Sequence, residues 1–272
     1  MSIGITVFDP WLERWGLTPD GAPISGTWAS LLPVRRGGEP AMLKAAMTRE
    51  EKHGLDLLAW YHGDGAVKIL ERGDKAILME RAVGERSLKA MARAGEDDAA
   101  LAVLCAAAKR LHASRHALPP DSLFPLAERF KPLEAAASAH GGVLARCWTE
   151  ALNLLATARE TRPLHGDLWH DNVRDDRARG WLAIDPMGFL GERTYDYAVM
   201  VTNPDFPDVA ALPERIRRRA AFVARTADLD PVRLMRCIMV DAGLYALWSI
   251  SEGHEPRALA IAEIAAGMLD AD

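Results

Sequence analysis

Cysteine is scarce: Cys105, Cys147 and Cys237 are the only three in 272 residues, they lie far apart, and no C-x-x-C pair occurs. That usage excludes a disulfide framework and a thiolate zinc site, and it points to a reducing compartment. Long apolar runs are missing as well. The opening "MSIGITVFDPWLERW" has no basic stretch leading into an apolar one, and the most apolar late segment, "CIMVDAGLYALWSI", is broken by Asp241. A cytoplasmic protein that engages no membrane is the expectation. Positive charge is not in excess either. With 33 Lys and Arg against 38 Asp and Glu, the formal net charge of -5 works against a nucleic-acid partner and tolerates a cationic one. Neither an H-E-x-x-H zinc motif nor a G-x4-G-K-[ST] phosphate loop is present, which removes two common ways of holding a metal or ATP.

What is present can fill a core: 49% of the residues are hydrophobic. Between about residues 22 and 81 the chain reads as short apolar runs, "ISGTWASLLPV", "PAMLKAA", "VKILER" and "KAILMERA", separated by Gly and charged turns. This is the pattern of a small antiparallel sheet. One helix interrupts it, in "TREEKHGLDLLAWYHG", where Thr48 and Glu51 form a capping-box pair and Leu55, Leu58 and Ala59 share a face. Beyond residue 84 the texture turns helical, with "ERSLKAMARAG", "EDDAALAVLCAAAKRLHASRHA", "GGVLARCWTEALNLLATARE" and three long stretches after residue 207. The expected fold class is α+β: an N-terminal lobe, residues 1–81, with a small antiparallel sheet and one helix, then a larger, mainly helical lobe, residues 82–272. The hinge falls near residues 80–84.

The densest polar stretch, "PLHGDLWHDNV" at residues 163–173, lies inside the second lobe. Asp167 and Asn172 are five apart, and thirteen residues further on "WLAIDPMG" brings Asp185 to the end of an apolar strand. Mg²⁺ takes one or two carboxylates or amides and completes its octahedron with phosphate oxygens and waters. Asn172 and Asp185 supply such a pair. Asp167 is then free to orient a substrate hydroxyl and accept its proton, which completes a phosphoryl-transfer set. A turn-rich loop of Asx-turns would explain a lone D-x4-N match; the strand-end Asp185 at this spacing favours the chemistry.

Lys44 sits in "AMLKAA", inside an apolar strand. Burying its ammonium there requires an anion, and the helix that follows offers Glu51, with Glu50 as competitor. Glu51 is preferred because it belongs to the face leading to Leu55 and Leu58. A lysine so held reaches the α- and β-phosphates of a nucleotide.

Together, Lys44, Glu51, "HGDLWHDN" and "IDP" resemble the protein-kinase-like superfamily, in its aminoglycoside phosphotransferase branch, with "HGD" and "DP" standing where protein kinases carry "HRD" and "DFG". "RPLHGDLWHDNV", "RGWLAIDPMGFLGE", "HGDGAVKIL" and "LMERAVGERSL" look like the aminoglycoside/hydroxyurea antibiotic resistance kinases, which include the streptomycin 6-phosphotransferases; the resemblance runs from about residue 20 to 270. It implies a bilobal kinase-like fold, ATP and Mg²⁺ as cofactors, and transfer of the γ-phosphoryl group to a hydroxyl of a small, cationic molecule such as streptomycin. Asp167 becomes the catalytic aspartate, Asn172 and Asp185 the metal ligands, Lys44 the phosphate contact and Glu51 its partner. Adenine is expected on the backbone of Glu80 and Ala82, with Met79 behind it. The phosphate loop departs from the kinase G-x-G-x-x-G: "SGTWASLL" holds only Gly26, so that Ser25, Thr27 and Ser30 compete for the nucleotide. Hydroxyurea or another small alcohol is the alternative acceptor, and a nucleotide-binding pseudokinase the alternative of another class.

Remaining polar groups take plainer roles. His165 is expected to anchor the loop and Asp196 to brace it by accepting backbone N–H bonds. Trp169, His170 and Asp171 mark where acceptor preference would be read. Trp248 and the acids Glu192, Asp205, Asp208, Asp241 and Glu252 lie in segments expected to flank the cleft, where several carboxylates would suit a guanidinium-bearing ligand. The chain is expected to act as a monomer or weak dimer.

Overall fold

Residues 7–25, 29–45 and 51–271 are described in a computed structural model of the chain. A short helix, α1 (Asp9–Trp15), leads into β1 (Leu17–Pro19) and β2 (Ile24–Ser25), then the hairpin of β3 (Ser30–Arg36) and β4 (Glu39–Ala45). After α2 (Lys52–Tyr61) come β5 (Ile69–Arg72) and β6 (Ala76–Glu80). These strands form one antiparallel sheet in the order β1-β3-β4-β6-β5, with β2 on β3.

Side-chain alternation along β4 and β6 divides this sheet into two working faces. Ala41, Leu43 and Ala45, with Ala76 and Leu78, pack beneath α1 in a cluster that includes Phe8, Leu32 and Val34. Register pairs Lys44 with Ile77 and Met42 with Met79, on the opposite face. Ile77 and Met79 there join Leu55 and Leu58 of α2 in the main core. Each fully buried leucine contributes roughly 1.5–3 kcal/mol, so a one-residue slip that exchanged the faces is strongly disfavoured. Lys44 is thereby held on the face that meets α2.

The second part contains α3 (Leu88–Arg93), α4 (Asp97–Leu111), β7 (Phe124–Pro125), α5 (Leu126–Phe130), α6 (Pro132–His140) and α7 (Gly142–Ala156). It continues through β8 (Thr161–Leu164), β9 (Val173–Asp176), β10 (Gly180–Ala183), β11 (Phe189–Glu192), α8 (Thr194–Thr202), α9 (Pro213–Ala227), α10 (Pro231–Ser251) and α11 (Ala258–Ala271). The last three helices match the three stretches expected after residue 207. Helix α10 has the length and composition of a membrane span, but 67% of its apolar window is buried inside the protein, as in a core helix. Three short helices, α1, α5 and α6, went unanticipated; the first two have seven and five residues, too few for a helical period to show in the sequence.

Helix α2 departs from expectation in two details. Its buried residues are Gly54, Leu55, Leu57, Leu58 and Tyr61, whereas Ala59 is exposed, because the helix is covered on more than one side. Glu51 stands at the N-cap but makes no side-chain capping bond, and Thr48 lies outside the described residues. The first turn of α2 instead lies backbone against backbone on the loop after β10. A Cβ on Gly54 would come within 1.7 Å of the Pro186 carbonyl oxygen, and one on Gly188 within 2.3 Å of the His53 carbonyl oxygen. Gly54→Ala therefore forces α2 off this loop and carries Glu51 with it. If the phosphotransferase activity expected from the sequence holds, steady-state kinetics should show kcat/KM for ATP falling by about 10²-fold, the cost of an ångström-scale misplacement at a reacting centre. An unchanged value would mean that α2 does not set the position of Glu51.

Candidate active site

The loop between β8 and β9 is built on buried anchors. Asp196 of α8 is inaccessible to solvent, and its carboxylate accepts the backbone N–H of His165 at 2.9 Å, that of Gly166 at 2.7 Å, and the His112 Nε2 at 2.8 Å. Burial works against its charge, yet the His112 bond and the loop N–H groups hold its carboxyl below the usual range. His165 is equally buried. Its Nε2 donates to the Ile184 carbonyl at 2.9 Å while its Nδ1 accepts from the Asp167 N–H at 3.3 Å, which specifies the neutral Nε2–H tautomer. Desolvation pushes its pKa down, in keeping with that form. Gly166 adopts φ +80°, and a Cβ there would strike the Phe189 ring at 2.3 Å, so the turn that presents Asp167 admits only glycine.

Asn172 closes the loop. Its Nδ2 donates to both the backbone oxygen of Asp167, at 2.8 Å, and the Asp167 Oδ2, at 2.7 Å, leaving its Oδ1 uncommitted. Its carbonyl accepts the Ile184 N–H at 2.9 Å, so the loop is fastened to the strand end that carries Asp185. Asp185 follows β10 at φ +57°, a left-handed conformation that costs a non-glycine residue roughly 1–2 kcal/mol. Its Oδ1 accepts from the Lys44 Nζ at 2.7 Å. Lys44, only 5% exposed, is held at the same time by Glu51. Burial alone would lower the lysine's pKa, but Asp185 and Glu51 outweigh it and raise it.

These side chains converge on one cavity of about 350 Å³, lined by Lys44, Glu51, Asp167 and Asp185 with apolar Leu55, Leu58, Ile77 and Met79. Asp167 faces it from a desolvated position. Burial and then Asp241 raise its carboxyl, hydrogen bonds from Asn172 and Trp169 oppose them, and the outcome is about 6. A carboxyl with that value can take up a hydroxyl proton near neutrality. The hard oxygens of Asn172 and Asp185 suit Mg²⁺ completed by phosphate and water, and among the described residues no cluster of three or more His, Cys, Asp or Glu offers a self-sufficient metal site. Glu80 ends β6 and turns its carboxylate to the Lys68 N–H and Arg179, while Ala82 follows in the irregular segment. Ser25 is exposed at the end of β2, paired with Ser30; Gly26 and Thr27 lie outside the described residues.

A second cavity, about 420 Å³, opens between the segment that follows α8 and the α10–α11 region and is lined by Asp205, Tyr245, Trp248, Ser249, His254, Glu255 and Arg257. Tyr245 and Trp248 stack at 5.3 Å between ring centroids and 26° between planes. A smaller pocket lined by Asp205, Asp241 and Tyr245 adjoins it. Burial, then Asp205, Asp167 and Asp241, raise the pKa of the Tyr245 hydroxyl.

The remaining sequence candidates separate. Trp248 and Asp205 line the second cavity. Glu192 does not line the cavity of Lys44 and Asp185 but borders a separate, mainly apolar one of about 230 Å³ with Leu126, Phe130 and Tyr195; its carboxylate is held in a double hydrogen bond with Arg233 and also accepts from Thr194 and the Arg159 N–H. All of its strong acceptor directions are thereby taken up within the protein. Asp208 pairs with Arg93 at 2.8 Å, and Glu252 caps α10 in an exposed position. Trp169 and Asp171 are both tied to Lys89 of α3, the first by a cation–π contact at 5.6 Å and the second by an ion pair at 3.0 Å, and neither lines the cavity of Lys44 and Asp185. Tyr245, His254, Glu255 and Arg129 were missed; for Tyr245 the signal was its spacing, one helical turn before Trp248.

The model of the aminoglycoside/hydroxyurea antibiotic resistance kinases matches residues 14–253. The chain belongs to that family. The streptomycin 3''-kinase of Klebsiella pneumoniae is 47% identical over 258 residues, covering 93% of this chain and 96% of the relative. The streptomycin 6-kinase of Streptomyces griseus is 30% identical over 270 residues, covering 93% and 86%. Among solved structures, a thermostable mutant of aminoglycoside phosphotransferase APH(4)-Ia in ternary complex with AMP-PNP and hygromycin B superimposes with a TM-score of 0.61 at 15% identity, over 98% of this chain and 97% of that one. The kinase-like α+β fold read from the sequence is therefore shown, as is the enzyme class: this family member is a phosphotransferase that acts on a small-molecule hydroxyl.

Proposed function

We propose that this kinase transfers the γ-phosphoryl group of ATP to streptomycin, at its 3''-hydroxyl. The 47% identity to a streptomycin 3''-kinase over nearly the whole of both chains carries this reading, and the 30% identity to a 6-kinase is its competitor. The second cavity supports a guanidinium-bearing acceptor through Asp205, whose carboxylate lies beside the stacked faces of Tyr245 and Trp248, while Glu255 is shared with Arg257 at 3.1 Å.

Residues 1–81 and 82–272 are the proposed lobes, with adenine at the Glu80–Ala82 backbone and Met79 behind it. Lys44, held by Glu51, takes the α- and β-phosphates, and Ser25 stands at the entrance to the phosphate loop. Asn172 Oδ1 and Asp185 would hold Mg²⁺, which when bound neutralises the triphosphate. Asp167 aligns the acceptor hydroxyl and receives its proton as the oxygen–phosphorus bond forms and ADP leaves. Because the transition state is loose, alignment and charge neutralisation contribute more than proton removal.

An ADP-release assay across streptomycin, other aminocyclitols and hydroxyurea tests the substrate, and phosphorus NMR of the product locates the ester. Streptomycin is expected to give the strongest signal, with phosphate at the 3''-position. A product phosphorylated at the 6-position would overturn the regiochemistry, and a stronger response from hydroxyurea would overturn the acceptor.

A further inference from the structure

Arg129, near the end of α5, lines the cavity that holds Lys44, Asp167 and Asp185, and also borders a neighbouring pocket with Met187 and Phe189. Its guanidinium lies 5.9 Å from the Phe189 ring centroid. Other buried arginines have carboxylate partners: Arg219 pairs with Asp97 and Arg233 with Glu192. Arg129 forms no salt bridge among the described residues, and its Nε is buried without a hydrogen-bond partner. Desolvation disfavours its charge, but Tyr195, through its field and a side-chain hydrogen bond, then Asp241 and Asp167, raise its pKa all the same. A buried cation without an ion pair, at the wall of a cleft that receives a polyanion, has the character of a ligand site.

We propose that Arg129 is a catalytic residue that contacts the transferring phosphoryl group, acting from the helical region as Lys44 acts from the sheet. Lys44 is already shared between Glu51 and Asp185. As the bond to the ADP oxygen breaks and the bond to the acceptor oxygen forms, negative charge spreads over the three peripheral oxygens of the phosphoryl group. A guanidinium fork on the wall of the cavity it shares with Asp167 meets that charge with directed N–H donors in a site shielded from water. The proposal rests on Asp167 and Asp185 marking the transfer site, and it does not depend on which acceptor is used.

Arg129→Gln and Arg129→Lys are compared with the unaltered enzyme in ADP release, with streptomycin and with water as acceptor, alongside thermal unfolding. For Arg129→Gln, kcat is expected to fall by about 10²-fold with either acceptor, while KM for ATP and for streptomycin changes less than about threefold. Arg129→Lys should recover part of the rate, since it restores charge without the fork. In Arg129→Ala, added guanidinium ion should raise kcat, a rescue that a packing role would not produce. Retention of kcat in Arg129→Gln, or a loss that follows lowered thermal stability with no rescue by guanidinium, overturns the proposal. A preference for another acceptor overturns the substrate assignment alone, because the water reaction still reports on Arg129.

Discussion

Asp167→Ala is expected to lower kcat by about 10³-fold while the dissociation constant for ATP changes little. General-base and alignment groups are worth roughly 10²–10⁴-fold, and Asp167 has both functions in the proposed mechanism. The local structure sharpens the expectation. Its carboxylate receives the Asn172 Nδ2, but Asn172 is also held by the backbone oxygen of Asp167. That second bond survives the substitution, so the proposed metal ligand stays in place and nucleotide binding should persist. His165 and Asp196 fix the loop through backbone groups that the substitution does not touch. Single-turnover kinetics with a fluorescent nucleotide separates the two quantities. A parallel loss of ATP affinity and turnover would assign Asp167 to metal binding instead of to the acceptor.

The second large effect concerns stability. Arg233 and Glu192 are each only 7% exposed, and Arg233 also donates to the Leu154 and Thr157 carbonyls and to the Thr157 hydroxyl. This network joins α7, β11 and α10, three elements of the helical core. Removing one partner leaves a charge buried without compensation, so Glu192→Ala should cost about 3–5 kcal/mol. For a chain of this size that corresponds to a fall in Tm of about 10 °C. Burial opposes ionisation of Glu192, but the Arg233, Arg159 and Thr194 bonds prevail and hold its carboxyl below the ordinary value. The sign follows: the pair stabilises the fold above the usual glutamate range, and that contribution is lost as pH falls through the depressed value. Differential scanning calorimetry should show the variant less stable at neutral pH and the gap narrowing in acid. The KM for streptomycin of the surviving folded enzyme is expected to be unchanged; a large rise in KM without loss of Tm would return Glu192 to the substrate site.

Local order in the sequence carried much of the architecture. The period-2 runs "PAMLKAA" and "KAILMERA" became β4 and β6, and the apolar periodicity after residue 84 became helices, because burial of one face is written directly into residue order. Short spacing also determined the Asp167–Asn172 pair and the strand-end position of Asp185, since a tight loop and the strand after it leave their side chains few places to go. Lys44 and Glu51 were readable for a related reason: an ammonium in an apolar strand needs an anion, and the next helix supplied one. Tertiary structure alone decided the rest. Glu192 and Trp248 looked alike as candidates, yet one is consumed by an arginine 41 residues away and the other faces a cavity. Arg129 gave no sign in "PLAERFKPL", because its lack of an ion pair among the described residues and its place on the cavity that Asp167 also lines exist only after distant segments pack together. Burial and partnership set the energy of a charged side chain, and neither is a property of its neighbours in the chain.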